Sequence, residues 1–202
     1  MKRFAPLVAV LMLFVAACSE EESVQAAGPP VTQNDRVLGD PNAPVTMIEY
    51  SSLGCPHCAS FHANTLPTIK KNFIDTGKVR LVMRDFPLGG PAYVAALMAH
   101  CARPEQYFEM IDVLFQQQAN WAGSEDPRKA LAMIGKFRGM SQEKFDQCTN
   151  DEERLNNIRN VQLEAQEKYG VNATPTFFIN GQKVSGSQPY EVFESAINEA
   201  LK

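Results

Sequence analysis

Several things are scarce in this chain. Among its 202 residues are three histidines and one tryptophan, and 19 Lys and Arg are outnumbered by 23 Asp and Glu, for a formal charge of −4. A surface short of positive charge does not suit phosphates, so nucleic acid is excluded as a partner. The longest apolar run, Phe4 to Ala17, falls short of the about 20 residues that a membrane-spanning helix needs. Internal repeats and low-complexity arrays are absent, and the length predicts one domain with a substantial core, carrying at most an inserted subdomain.

What is present begins at the N-terminus. Lys2 and Arg3 precede the apolar run, which closes on small residues in the layout of an export signal over residues 1–17. Its end, Val15-Ala16-Ala17-Cys18, resembles the lipobox of bacterial lipoproteins, which implies lipidation of Cys18 as the first mature residue; ordinary signal-peptide cleavage is the alternative. Loss of Lys2 and Arg3 with the signal brings the charge to −6. Residues 18–35 are acidic and broken by Gly28-Pro29-Pro30, a flexible tether by composition. The folded part is expected from about Arg36.

Five cysteines are an odd number for an exported protein. Lipidation of Cys18 accounts for one. The others form two candidate pairs, Cys55 with Cys58 and Cys101 with Cys148, and disulfides persist outside the cytoplasm. If Cys101 and Cys148 are joined, the bridge closes a loop of about 47 residues and braces the fold by roughly 2–4 kcal/mol; two separate buried thiols are the alternative.

Composition alternates along the chain. Val45 to Tyr50 and Val79 to Phe86 read as strands around a helix that starts at Pro56 and ends before Gly77. Between about 89 and 170 the apolar spacing turns to three and four, with Tyr107, Phe108 and Phe115 in the core of several short helices. Ser141 is placed to cap one of them, and a longer one ends at Gly170. Residues 174–186 read as a hairpin with Asn180-Gly181 at its tip, followed by an amphipathic helix from Pro189 to Leu201. The class is α/β, with an all-helical subdomain inserted into the core. His62 and His100 read as partly buried helix residues, and the sequence leaves the place of Trp121 open.

The stretch SLGCPHCASFH, residues 52–62, carries the chemistry. Haem attachment needs a histidine after the second cysteine, where Ala59 stands. Zinc finds three ligands in Cys55, Cys58 and His62 but no fourth nearby, leaving a non-catalytic zinc module as a weak alternative. A structural bridge across so short a loop would constrain the chain little. Redox exchange fits best. A strand running into Cys55, with Pro56 next, puts the cysteine at a helix N-cap. Free N–H groups and the helix dipole then favour a thiolate there, with His57 as a second stabiliser. Cys58, one turn in, is the buried resolving thiol. A stabilised Cys55 thiolate leaves readily and makes the disulfide an oxidant.

Cys55-Pro56-His57-Cys58 after a strand, the helical insert, and Ala173-Thr174-Pro175-Thr176 before a strand together resemble the DsbA-like thiol:disulfide oxidoreductases over residues 36–202. The resemblance implies a thioredoxin fold with a helical insertion and a cis peptide between Thr174 and Pro175, beside the cysteines. It implies an enzyme with Cys55, Cys58, His57 and Pro56 as catalytic residues, and Thr174 and Pro175 binding an extended substrate. Glu49 is implied as a buried acidic modulator, its alternative being a partner for a cation such as Arg84. No cofactor and no metal are called for. The implied setting is the periplasm of a Gram-negative bacterium, lipid-anchored and leaning to the outer membrane through Ser19. The implied partners are reduced or unfolded exported proteins and a DsbB-like membrane quinone reductase. The short tether, with no dimerisation domain before the fold, predicts a monomer. Thr174 keeps an isomerase or reductase on the same fold as the alternative to an oxidase.

Overall fold

The computed structural model describes residues 28–202; the export signal, Cys18 and Ser19 lie outside them. A five-stranded sheet has the order β1-β3-β2-β4-β5. β2 (Val45–Ser51) and β3 (Val79–Asp85) pair in parallel at its centre, while β1 (Arg36–Leu38), β4 (Thr176–Ile179) and β5 (Gln182–Ser185) are antiparallel to their neighbours. Both central strands are buried on both faces, which explains why their apolar residues do not simply alternate and why Glu49, Ser51, Arg84 and Asp85 are enclosed with them. β1 was not foreseen: three half-buried residues at an edge carry too short a pattern to read.

The crossover from β2 to β3 is one helical rod. α1 (Pro56–Ser60) and α2 (Leu66–Ile69) alternate with π-helical turns at Phe61–Thr65 and Lys70–Ile74. Phe61, Ile69 and Phe73 pack on Val45, Met47, Leu81 and Phe177, together with Phe193 and Ile197 of α9 (Tyr190–Ala200). The opposite face, Ile48, Tyr50, Val82 and Phe178, is covered by Ala165 of α8 (Glu152–Tyr169) and by Val171.

The insert consists of α3 (Gly90–His100), α4 (Tyr107–Gln116), α5 (Gln118–Ala122), α6 (Pro127–Phe137) and α7 (Gln142–Thr149), followed by α8. Ser141 caps α7 by accepting from Lys144 N–H, and Gly170 ends α8 in the left-handed region at φ 60°. Trp121 is fully buried in the insert, its Nε1–H donating to the Leu114 carbonyl, so it lines no surface. Cys101 and Cys148 form a disulfide between the end of α3 and α7, across 47 residues. The insert's core is continuous with the redox stretch, because Leu53, Cys55 and Cys58 belong to the same apolar cluster as Met98, Ile111 and Leu114.

Residues 28–35, expected as tether, are fixed to the sheet. Arg84 donates to both Asp35 carboxylate oxygens at 2.9 and 2.7 Å, to the Pro30 carbonyl and to the Tyr50 hydroxyl. The pair is 8% exposed on each side, a buried fork that no composition rule anticipates. At the hairpin tip Asn180 and Gly181 both have positive φ, and a Cβ on Gly28 would lie 2.6 Å from Gly181 Cα.

Candidate active site

β2 ends at Ser51, and the turn 52–54 delivers Cys55 in extended conformation (φ −90°, ψ 121°) as the N-cap of α1, with Pro56 in the first turn. The turn is held from three sides. Cys55 N–H donates to the Ser52 carbonyl, Ser52 Oγ accepts from the Gly54 and Leu88 N–H groups, and Gln118 Nε2 reaches out of the insert to the Leu53 carbonyl at 2.6 Å and the Cys55 carbonyl at 3.0 Å. Gln118 was missed in the sequence. It lies in a run of three glutamines, and nothing in that run marks which one points inward.

The two thiols are unequal. As a thiol Cys55 donates to the Thr174 carbonyl at 3.3 Å, and the Thr174–Pro175 peptide is cis, as the resemblance implied. Hydrogen bonding from the Cys58 thiol, helped by the Thr174 side chain and the backbone N–H groups of Cys58 and His57, outweighs burial and holds Cys55 down at about 5. Cys58 goes the other way. Burial first, then its bond to Cys55 and the charge of Glu49, push its thiol far above the ordinary value, and it is fully enclosed. Both cysteines are free thiols, so the structure is that of the dithiol form.

The His57 side chain is exposed, and its backbone N–H is among the groups that lower Cys55. Glu49 is fully buried but does not pair with Arg84. Arg84 stands opposite Tyr50 in the register, one residue on from Glu49, and therefore on the other face of the sheet. The partner of Glu49 is His62, whose Nε2 lies 3.2 and 3.0 Å from its carboxylate oxygens. With His62 turned to Glu49, no three His, Cys, Asp or Glu among the described residues are placed to hold a metal, and the three-ligand zinc arrangement is not formed. His100 Nε2 lies 2.6 Å from Asp85, a contact remote from any ligand role.

Thr174 precedes β4, and neither ladder of that strand extends to it. Beside the active-site turn, Leu88 is 57% exposed, a large apolar side chain at the rim.

A family model described as Thioredoxin matches residues 31–199. The chain is 36% identical to alpha-DsbA1 of Wolbachia pipientis, whose crystal structure superposes with a TM-score of 0.79 over 85% of this chain and 92% of that one. BdbD of Bacillus subtilis, at 24% identity, shares the fold with a TM-score of 0.74 over 87% and 97% of the two chains. Five Rickettsia proteins, named as candidate protein-disulfide oxidoreductases, are 31–36% identical over 85% of this chain. The chain spans 62–66% of their length.

Proposed function

The chain belongs to the thioredoxin family, in its DsbA-like branch, and on that footing we propose that it is a thiol:disulfide oxidoreductase acting as an oxidase of exported proteins. The observation that carries the proposal is the inequality of the two thiols at the start of α1. Cys55 sits at a helix N-cap within reach of the Thr174 carbonyl and favours its thiolate, whereas Cys58 is sealed and stays protonated.

In the disulfide form a substrate thiolate attacks Cys55 Sγ. The Cys55–Cys58 bond breaks, Cys58 leaves with the electron pair and takes up a proton, and a mixed disulfide joins Cys55 to the substrate. A second substrate thiol, deprotonated, attacks the substrate sulfur of that bond and expels Cys55. Two electrons have passed from the substrate to the protein. The departing Cys55 is a thiolate that its surroundings stabilise, so the reaction runs toward substrate oxidation. Pro56 pre-sets the helix that provides the stabilising N–H groups. The backbone before β4, outside both ladders at Thr174, offers an edge to which an extended peptide adds as a strand, and Leu88 offers apolar contact beside it. Thr174 and Pro175 are thus the substrate-binding residues of this reading, and Glu49 is a modulator of Cys58 through its charge.

The setting belongs to the same proposal: a periplasmic monomer, lipid-anchored through Cys18, reoxidised by a DsbB-like membrane quinone reductase. The Cys101–Cys148 disulfide supports an oxidising compartment. The redox potential of the purified domain against glutathione tests direction. A strongly oxidising value, near about −120 mV, is expected, and one as reducing as about −270 mV refutes the oxidase. The isomerase reading rests on Thr174, and its mark is reshuffling of scrambled disulfides at a rate above that of net oxidation.

A further inference from the structure

The two sides of α6 differ in a way that packing alone does not require. Leu131 and Ile134 are buried in the core of the insert, whereas Lys129, Met133, Lys136 and Phe137 follow the spacing i, i+4, i+7, i+8 along the outer side. Phe137 is 85% exposed and Met133 53%, so an aromatic ring and a thioether stand in water one turn apart. Phe137 is the last residue of the helix, and the chain turns away from it at Gly139, whose φ of 83° is left-handed and whose Cβ position has no atom within 4 Å. The ring therefore stands at an open, convex corner. Charge at this corner runs against that of the molecule. The chain is −4 overall, yet between Asp126 and Glu143 it holds Arg128, Lys129, Lys136 and Arg138 and no acid. Lys129 and Lys136 are exposed and have no ion-pair partner among the described residues, while Arg128 and Arg138 meet Asp146 and Glu109 in contacts open to solvent. Asp126 is engaged as the N-cap of α6. Beside the corner, Arg138 borders a cavity of about 360 Å³ that is also lined by Lys144 of α7 and by Arg103, itself in contact with Glu105.

We propose that the outer face of α6 docks on the surface of an anionic phospholipid membrane. A dissolved anion satisfies the lysines but leaves Phe137 and Met133 in water, and a protruding ring has no pocket of its own in which to hold a small ligand. A bilayer meets both needs, because it presents negative headgroups over an apolar interior and yields to a convex tip. Phe137 and Met133 enter the boundary between headgroups and acyl chains. Lys129 and Lys136 lay their methylene stems along the same boundary and hold their ammonium groups at the phosphates. The cavity at Arg138, Arg103 and Lys144 extends the positive field beside them. The remainder of the molecule is negative and is repelled by such a surface, so charge orients the protein as well as attracting it. Cys55, Thr174 and Leu88 are no part of this face, and docking through it does not depend on the thiol chemistry.

The test uses residues 19–202, which keep every described residue and leave no Cys18 to carry an acyl chain. The protein is floated with vesicles of phosphatidylcholine, alone or mixed with phosphatidylglycerol. Binding to the mixed vesicles is expected, with little on phosphatidylcholine alone and a decline as salt is raised. Phe137→Ser, and Lys129→Gln combined with Lys136→Gln, are each expected to lower the partition coefficient at least about tenfold. Leu163→Ser, at a similarly exposed apolar site on α8, is expected to leave it unchanged. In Phe137→Trp an indole occupies the corner, and because Trp121 is enclosed, a shift of emission to shorter wavelength on the mixed vesicles reports entry of that side chain. All the substituted positions are exposed, so the fold is kept. Absence of binding, equal binding to both vesicles, undiminished binding of Phe137→Ser, equal loss in Leu163→Ser, or unshifted emission overturns the proposal. A concentration-dependent dimer that Phe137→Ser dissolves also overturns it, and assigns the face to a second copy of the chain.

Discussion

The Cys55 thiolate has a consequence for stability that separates the reduced from the oxidised protein. In the reduced fold this thiol titrates at about 5 instead of the ordinary 9.0. A group whose native value is depressed stabilises the fold in full above its unfolded value, and the contribution disappears as pH falls through the native one. Between pH 9 and pH 5 the reduced form therefore loses stability on acidification, while the oxidised form has no thiol to titrate and shows none of this dependence. At pH 7, two pH units above the native value, the contribution is at most about 2.7 kcal/mol at about 1.36 kcal/mol per unit. Solvent at the mouth of the site lowers that to the order of 1–2 kcal/mol. Two measurements check it. Absorbance of the reduced protein near 240 nm follows one thiolate and is expected to rise in a single step centred near 5, since Cys58 stays protonated throughout. Urea unfolding of both forms at pH 4 and pH 7 is expected to show the reduced-minus-oxidised difference growing by about 1–2 kcal/mol. A midpoint of 8 or above, or a difference flat with pH, refutes the account of the site.

Three further outcomes follow from contacts elsewhere. Replacing Cys101 and Cys148 together by serine opens the 47-residue loop and is expected to lower stability by about 2–4 kcal/mol in urea titrations of the otherwise intact fold. Gln118→Ala removes the side-chain donor from the buried Leu53 and Cys55 carbonyls, at a cost of about 1–3 kcal/mol, and hydrogen exchange should quicken at the active-site turn before it does in the sheet. Arg84→Met leaves the Asp35 carboxylate without its fork, at about 3–5 kcal/mol, and should expose residues 28–35 to limited proteolysis. Because Arg84 holds Asp35 below its ordinary 3.8 against the pull of burial, the wild-type contact persists above that value and yields only as pH falls through the lower native one; pepsin digestion in that range reads it directly.

Much of this architecture was legible because period and punctuation coincide. Val45 to Tyr50 and Val79 to Phe86 are rich in apolar residues that do not simply alternate, because both faces are covered, and Asn180-Gly181 turns where its positive φ values demand. The cysteine motif could be placed at an N-cap from Pro56 alone. What stayed hidden depended on faces and distances. Glu49 and Arg84 are both strand residues of opposite charge, yet the register puts them on opposite sides of the sheet. Gln118 and His62 act across tertiary gaps of 63 and 13 residues, which no local spacing encodes. Residues 28–35 looked like linker because their anchor is one guanidinium more than 50 residues away, at the Pro30 carbonyl.

That docked arm sets a compass for the molecule. Arg84 pins Asp35, and the backbone then runs to the hairpin tip, where Gly28 meets Gly181 beside the start of β2; Cys55 follows that strand's other end, about 20 Å away along seven residues. Anything joined ahead of residue 28 leaves from the pole opposite the thiols. A surface that holds the protein by this end leaves Cys55, Thr174 and Leu88 facing outward, so immobilisation through an N-terminal graft should preserve access for bulky unfolded chains, whereas one through the loop at Leu88 should crowd it.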